Sequence, residues 1–228
     1  MPLMQRLSAN GILALLLAML VLAGEEAHAR AGGGGGGRGG GGLVVILYPL
    51  LLVYAGIVTW LLRRKSREAR AALALAARDK AWDPDELKAR IEQVFFKVQN
   101  AWTLRNQDLA RDCMSERLYR KHKLQTDQMI QDGTRNILEC VNLSKATIVE
   151  IADFRDNAKD RLWACMEGSM IDYHIRLSTG AVAKGSKDKP EDFSELWKFI
   201  RTPQGWVLDE IDQSVDLSDL MGFKSIVE

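Results

Sequence analysis

Residues 43–62, LVVILYPLLLVYAGIVTWLL, run for twenty positions without a charged side chain. A helix of that length rises about 30 Å, the depth of a bilayer's hydrocarbon layer, so this segment constrains the chain more than any other. It predicts a single transmembrane helix. Tyr48, Tyr54 and Trp60 supply aromatic rings, with Trp60 placed where an interfacial ring sits. Pro49 falls in the first turns, where a missing N–H costs least. The alternative, a buried helix of a soluble domain, is at odds with the flanks, a glycine-rich stretch on one side and RRKSREAR on the other.

Charge then sets direction. Residues 1–42 hold three Lys/Arg and two Asp/Glu, residues 63–82 hold seven and two, and residues 83–228 hold twenty-one and twenty-six, giving net charges of +1, +5 and −5. Arg63, Arg64, Lys65, Arg67 and Arg70 crowd the C-terminal end of the run, against Arg30 and Arg38 before it. The positive-inside rule therefore predicts a single-pass membrane protein with its C-terminal domain in the cytoplasm. These five cations are also the candidate membrane-surface residues, since a basic neck beside a span is drawn to anionic lipid. A domain at −5 has no global electrostatic reason to bind nucleic acid, so none is expected as a partner.

The segment before the span reads as a signal peptide over residues 1–31: Arg6, an apolar stretch from Ile12 to Gly24, then small residues at Ala27 and Ala29 or at Ala29 and Ala31. An uncleaved anchor helix is the alternative. Residues 32–42 form a glycine-rich linker; the stretch 30–45 contains ten glycines, which neither pack nor hold a shape. Residues 63–82 form a basic juxtamembrane helix that prolongs the span or lies along the headgroups. Residues 83–228 remain as one soluble domain.

That domain opens with three helices. Asp83 caps a helix with Pro84 at its first position, and Leu87, Ile91, Val94, Phe95, Val98 and Trp102 recur at steps of three and four to make one apolar face. A short helix over Asp108–Cys113 and a third, capped by Ser115 and ending at Gly133, follow. The third carries Arg117, Arg120, Lys121, His122 and Lys123, a contact for acidic groups or, more commonly, a solvated face. After Gly133 the period changes to two. Val141, Leu143, Thr147, Val149 and Ile151 predict one strand, Arg161–Leu177 a second, Phe193–Thr202 a third and Trp206–Gln213 a fourth, with a short strand at Ala181–Lys184. A bulge near Glu167-Gly168 would reconcile the apolar Leu162, Ala164, Met166 and Met170 with the apolar Ile171, Tyr173 and Ile175. Helices followed by a curved antiparallel sheet describe an α+β fold.

Catalytic motifs are sparse. Cys113, Cys140 and Cys165 match no zinc or redox spacing, and His122 and His174 belong to no metal motif, so no metal and no cofactor is expected. An enzyme of this architecture would need an inward carboxylate beside a donor, for which Glu167, Glu195 and Tyr173 are the candidates. A small-molecule or acyl-chain pocket would draw on Phe95, Trp102, Tyr173, Trp197 and Phe199, residues whose spacing equally suits a plain core.

The stretches DPDELKARIEQVFFKVQNAWTLRNQDLAR at 83–111, SERLY at 115–119, YHIRLSTG at 173–180 and FSELWKFIRTPQGWVLDEI at 193–211 resemble the Tim forty-four-like domain family. That family is named for a mitochondrial inner-membrane translocase subunit and includes bacterial relatives with a signal, glycine run and single span. The resemblance implies a cone-like nuclear transport factor two (cystatin-like) fold with an apolar cavity. It also implies a membrane-linked scaffold, not a catalyst, that binds a protein partner or lipid and is linked to protein translocation or membrane protein biogenesis. The long coiled N-terminal half of the mitochondrial subunit has no counterpart here, so its motor-scaffold role does not carry over.

Overall fold

The structure is a computed structural model that describes residues 41–228, with side chains described from residue 49. The signal peptide and most of the glycine linker expected from the sequence lie outside the described residues. Among the described residues two compact units are distinguished, one of the residues up to 64 with 214–222 and one of residues 65–213 with 223–228.

Helix α1 (Gly41–Ala76) takes in the uncharged run and most of the basic segment after it. Because the helix starts at Gly41, Pro49 lies inside it and not at its first turn, and one intrahelical hydrogen bond is lost there. Among the described residues no helix is long and apolar enough to cross a membrane. The first six residues of the uncharged run, 43–48, lie outside the described side chains. The first unit also contains the short helix α4 (Leu217–Gly222).

The second unit is α+β. Helix α2 (Pro84–Leu104) starts where the sequence demands: the Asp83 carboxylate accepts from the backbone N–H of Asp85 at 3.0 Å and of Glu86 at 2.9 Å, and Pro84 fills the first position. A 3-10 segment, Gln107–Cys113, kinks at Ala110, and α3 (Glu116–Gln131) begins on the Ser115 hydroxyl, which accepts from Leu118 N–H. The strands are β1 (Thr134–Asp153), β2 (Arg161–Arg176), β3 (Val182–Gly185), β4 (Glu191–Thr202), β5 (Gly205–Asp212) and β6 (Ile226–Val227). They form one sheet in the order β5-β4-β2-β1-β6, with β3 also on β2; every pairing is antiparallel except β1 with β6. The turn between β4 and β5 is the expected Thr202-Pro203-Gln204-Gly205, where Gly205 adopts φ +109°.

Two strand expectations are corrected. The first strand starts at Thr134, seven residues before Val141, because the polar Thr134–Glu139 stretch pairs with Ile171–Arg176. The irregularities lie on β1 and not on β2: the β1–β2 register shifts between Glu139 and Asn142, Leu143 and Lys145, and Ile148 and Glu150. Each extra residue flips which side chains face the helices. Val141, Leu143 and Ile151 pack on the core as expected, but Ala146 and Ile148 join them in place of Thr147 and Val149. On its other edge β2 pairs with β4 without interruption from Arg161 to Met170, so the bulge expected near Glu167-Gly168 is present at that level, but its extra residue, Ser144, lies on β1 opposite them and not on β2.

The core of this unit is filled by Leu87, Ile91, Val94, Phe95 and Val98 of α2, packed with Leu162, Ala164, Met166, Trp197, Phe199 and Leu208 of the sheet. Leu73 and Ala76 of α1 and Trp82 belong to the same cluster. Phe95 sits among Phe193 (5.8 Å between ring centres) and Trp197 (5.3 Å). The Trp82 indole donates to Asp153 at 3.0 Å and packs edge-on against Trp206 at 4.7 Å. Residues 79–82, from the segment read as a neck, are thus tied into this unit, and Asp79 also pairs with Arg201.

Candidate functional site

At one end of the sheet the helices leave a cleft of about 570 Å³. It is walled by Val98 and Trp102 of α2, Leu118 and His122 of α3, Asn136 and Leu138 of β1, and Met170, Asp172 and His174 of β2. Lys184 of β3, Glu195 and Trp197 of β4, and Ile211 and Asp212 of β5 complete it. All of these belong to the second unit.

The position of Asp172 and His174 follows from strand alternation. Leu162, Ala164, Met166, Met170, Asp172 and His174 all lie on one parity of β2, and that parity faces the helices throughout. Beyond Gly168 the inward face changes chemistry from apolar to polar. Ile171, Tyr173 and Ile175 occupy the other parity, where the Tyr173 hydroxyl donates to Glu139 at 3.1 Å and Lys187 lies 5.5 Å from its ring centre. The cleft is therefore mixed and polar, in contrast to the apolar cavity that the family resemblance implies.

Hydrogen bonds hold the polar groups in place. The Trp102 indole N–H donates to Asn136 Oδ1 at 2.7 Å, which leaves the Asn136 amide nitrogen to donate to Asp172 Oδ1 and to the Tyr173 carbonyl. The Trp197 indole N–H donates to Glu195 Oε2 at 2.8 Å. Burial, with the Asp172 and Asp212 charges nearby, pushes the Glu195 carboxyl above the usual carboxylate range despite that bond. His122 is 8% exposed, lies edge-on to Trp102 at 5.3 Å, and has no hydrogen-bond partner for Nδ1 among the described residues. Burial, aided by Lys121, lowers its pKa to about 4, so the ring is neutral at physiological pH.

The expected pocket residues are divided by the fold. Trp102 lines the cleft, Trp197 borders it while being as fully buried as Phe95 and Phe199 in the core, and Tyr173 is on the far side of β2. Of the carboxylates considered for acid/base work, Glu195 lines the cleft, whereas Glu167 is on the surface in an ion pair with Lys145 at 3.3 Å. Neither stands beside the Tyr173 hydroxyl, which is engaged by Glu139. Asp172 and Asn136 were missed as site residues, and His122 was seen only as part of the basic run on α3; carrying the Leu162–Met170 parity on to residue 174 is the signal that finds Asp172 and His174.

The basic groups divide similarly. Arg63 and Arg64 lie in α1 of the first unit, where the Arg64 guanidinium sits 5.6 Å over the Trp60 ring. Lys65, in the second unit, is largely buried and donates to Glu68 at 3.3 Å and to the Phe223 carbonyl. Arg67 and Arg70 lie further along α1, where Arg70 donates to the Ser66 carbonyl at 3.3 Å. On α3, Arg117 pairs with Asp209 at 3.0 Å, Arg120 with Glu116 at 2.7 Å and Lys123 with Asp127 at 3.3 Å. Arg120 and Lys123 thus pair within the helix, Arg117 ties α3 to β5, and His122 of the same run is buried. Among the described residues no group of three or more His, Cys, Asp or Glu side chains is arranged to hold a metal ion, and all three cysteines are free thiols.

A family model for the Tim44-like domain matches residues 68–213, more than half of the chain. The chain belongs to the Tim44-like family. Among solved structures it is similar to the crystal structure of the intermembrane space region of the chloroplast protein ARC6, at 14% identity and a TM-score of 0.37, over 54% of this chain and 95% of that one. No curated protein matches. Family membership suggests a membrane-associated scaffold domain related to protein translocation.

Proposed function

We propose that the chain is a single-pass, non-enzymatic binding or scaffold protein of a bacterial inner membrane, with its Tim44-like domain held at the cytoplasmic face. The carrying observation is the order of the sequence: twenty uncharged residues, then Arg63, Arg64, Lys65, Arg67 and Arg70, then a family match that begins at residue 68. In this arrangement residues 1–31 are a signal peptide, 32–42 a glycine linker, 43–62 the span, and 63–82 a basic segment that brings the domain to the bilayer. The domain has the cone-like nuclear transport factor two architecture and binds a protein partner or anionic lipid. Each basic residue near an anionic leaflet contributes about 1 kcal/mol of attraction, within a Debye length of the surface.

Vesicle flotation of the full chain tests this. The chain should float with phosphatidylcholine vesicles and stay bound after alkaline carbonate, as an integral protein does. Replacing Arg63, Arg64, Arg67 and Arg70 with Gln should leave that association intact while removing any added preference for phosphatidylglycerol vesicles. Release of the unaltered chain by carbonate would contradict the span.

A further inference from the structure

The cleft presents polar chemistry that membrane anchoring does not use. Asp172 and Glu195 line it, and the hydrogen bonds they accept come from the neutral N–H groups of Asn136 and Trp197. Neither takes part in an ion pair among the described residues. Lys121 and Lys184 line the cleft only at exposed positions, so negative charge is concentrated further in, where Asp212 adds to it. The independent sign of a ligand is His122. Its side chain is more than nine-tenths buried, it lines the same cleft, and its Nδ1 has no partner among the described residues. A buried polar atom without a partner costs free energy that a bound ligand or water recovers.

We infer that this cleft binds a small organic cation, an amine or guanidine whose charge lies against Asp172 and Glu195 and whose apolar stem lies against Trp102, beside the His122 ring. A volume of about 570 Å³ is that of a small-molecule site. Carboxylates held only by neutral donors have no cation of their own, and the indole wall of Trp102 favours an alkylammonium or guanidinium over a metal ion. The Trp102–Asn136–Asp172 chain pre-sets one carboxylate, so little ordering remains to be done on binding. Burial is the main cause of the raised Glu195 carboxyl, with the Asp172 and Asp212 charges adding to it, and a cation bound beside the carboxyl opposes that shift. The inference uses only the cleft, and its failure leaves membrane anchoring untouched.

The test is calorimetric titration of the full chain in neutral detergent with agmatine, spermidine and choline, with xylitol as an uncharged probe of similar size. At least one cation should bind in the micromolar to low-millimolar range while xylitol does not. Asp172→Asn and Glu195→Gln, which preserve shape, should each weaken binding about tenfold or more, whereas Glu116→Gln on the outer face of α3 should leave it unchanged. The inference is overturned if none of the three cations binds, if xylitol binds as well as they do, or if both folded carboxamide variants keep the affinity of the parent. The comparison of cations with xylitol needs no variant, so it stands even where a substitution impairs folding.

Discussion

The two halves of the inward face of β2 are built to different ends. From Leu162 to Met166 that face is sealed: Leu162, Ala164 and Met166 have no exposure and pack with Phe95, Trp197 and Phe199. From Met170 to His174 the same face of the same strand lines an open cleft with a carboxylate and an imidazole. Gly168 stands between them, with the Phe193 ring so close that an added Cβ would lie 2.7 Å from Cζ. Strand parity alone therefore does not mark the core. Helix coverage decides which inward residues become core, and the end left open carries groups that cost stability and are suited to binding.

This contrast orders the expected effects of substitution. Phe95→Ala in the sealed half should cost about 3–5 kcal/mol by equilibrium urea unfolding, since it removes a fully buried ring from a packed aromatic cluster. A cost below that of an exposed-site substitution would break the distinction. The open half should respond to pH. The His122 pKa is lowered to about 4 in the folded state, so between pH 6.5 and about 4 the unfolded chain holds the proton more often than the folded one. Stability present above pH 6.5 should then fall by about 3 kcal/mol across that window. His122→Leu should remove this part of the acid limb, which is read as the difference between the two unfolding curves.

At the junction, Gly168→Ala should destabilise by roughly 2 kcal/mol, because the new methyl meets the Asn142 carbonyl and the Phe193 ring and one of them must move. A neutral result in the melting temperature would mean that the two halves are not separated by a tight contact. The smallest effect has the opposite sign. Burial raises the Glu195 carboxyl, so the folded state keeps a proton that the unfolded state gives up as pH rises past the ordinary Glu range. Stability falls over that interval. Glu195→Gln should therefore be more stable than the parent at neutral pH, read as a higher urea midpoint, while impairing cation binding.

The sealed half was legible in the sequence and the open half was not. The α2 face, the Asp83 and Ser115 caps, the Thr202–Gly205 turn and the family motifs all show as local patterns in which spacing and residue type agree. The three β1 irregularities gave no comparable signal: Cys140, at φ +50°, marks one only in the structure, and each shift reverses the inward parity. Asp172 and His174 were passed over as site residues because no local pattern marks where the helices stop covering the inward face of β2. Lys65 looked like one more basic residue of a membrane neck, yet its amine reaches the Phe223 carbonyl, a contact between positions 158 residues apart that no local pattern encodes.

Protease protection is the most direct test of the account's central claim, that the Tim44-like domain is tethered at the cytoplasmic face of an inner membrane. The chain would carry an epitope after Glu228, and intact spheroplasts would be compared with lysed cells. The account predicts an epitope protected in intact spheroplasts and digested on lysis. Digestion in intact spheroplasts would contradict it and place the domain, with its acidic cleft, on the envelope side.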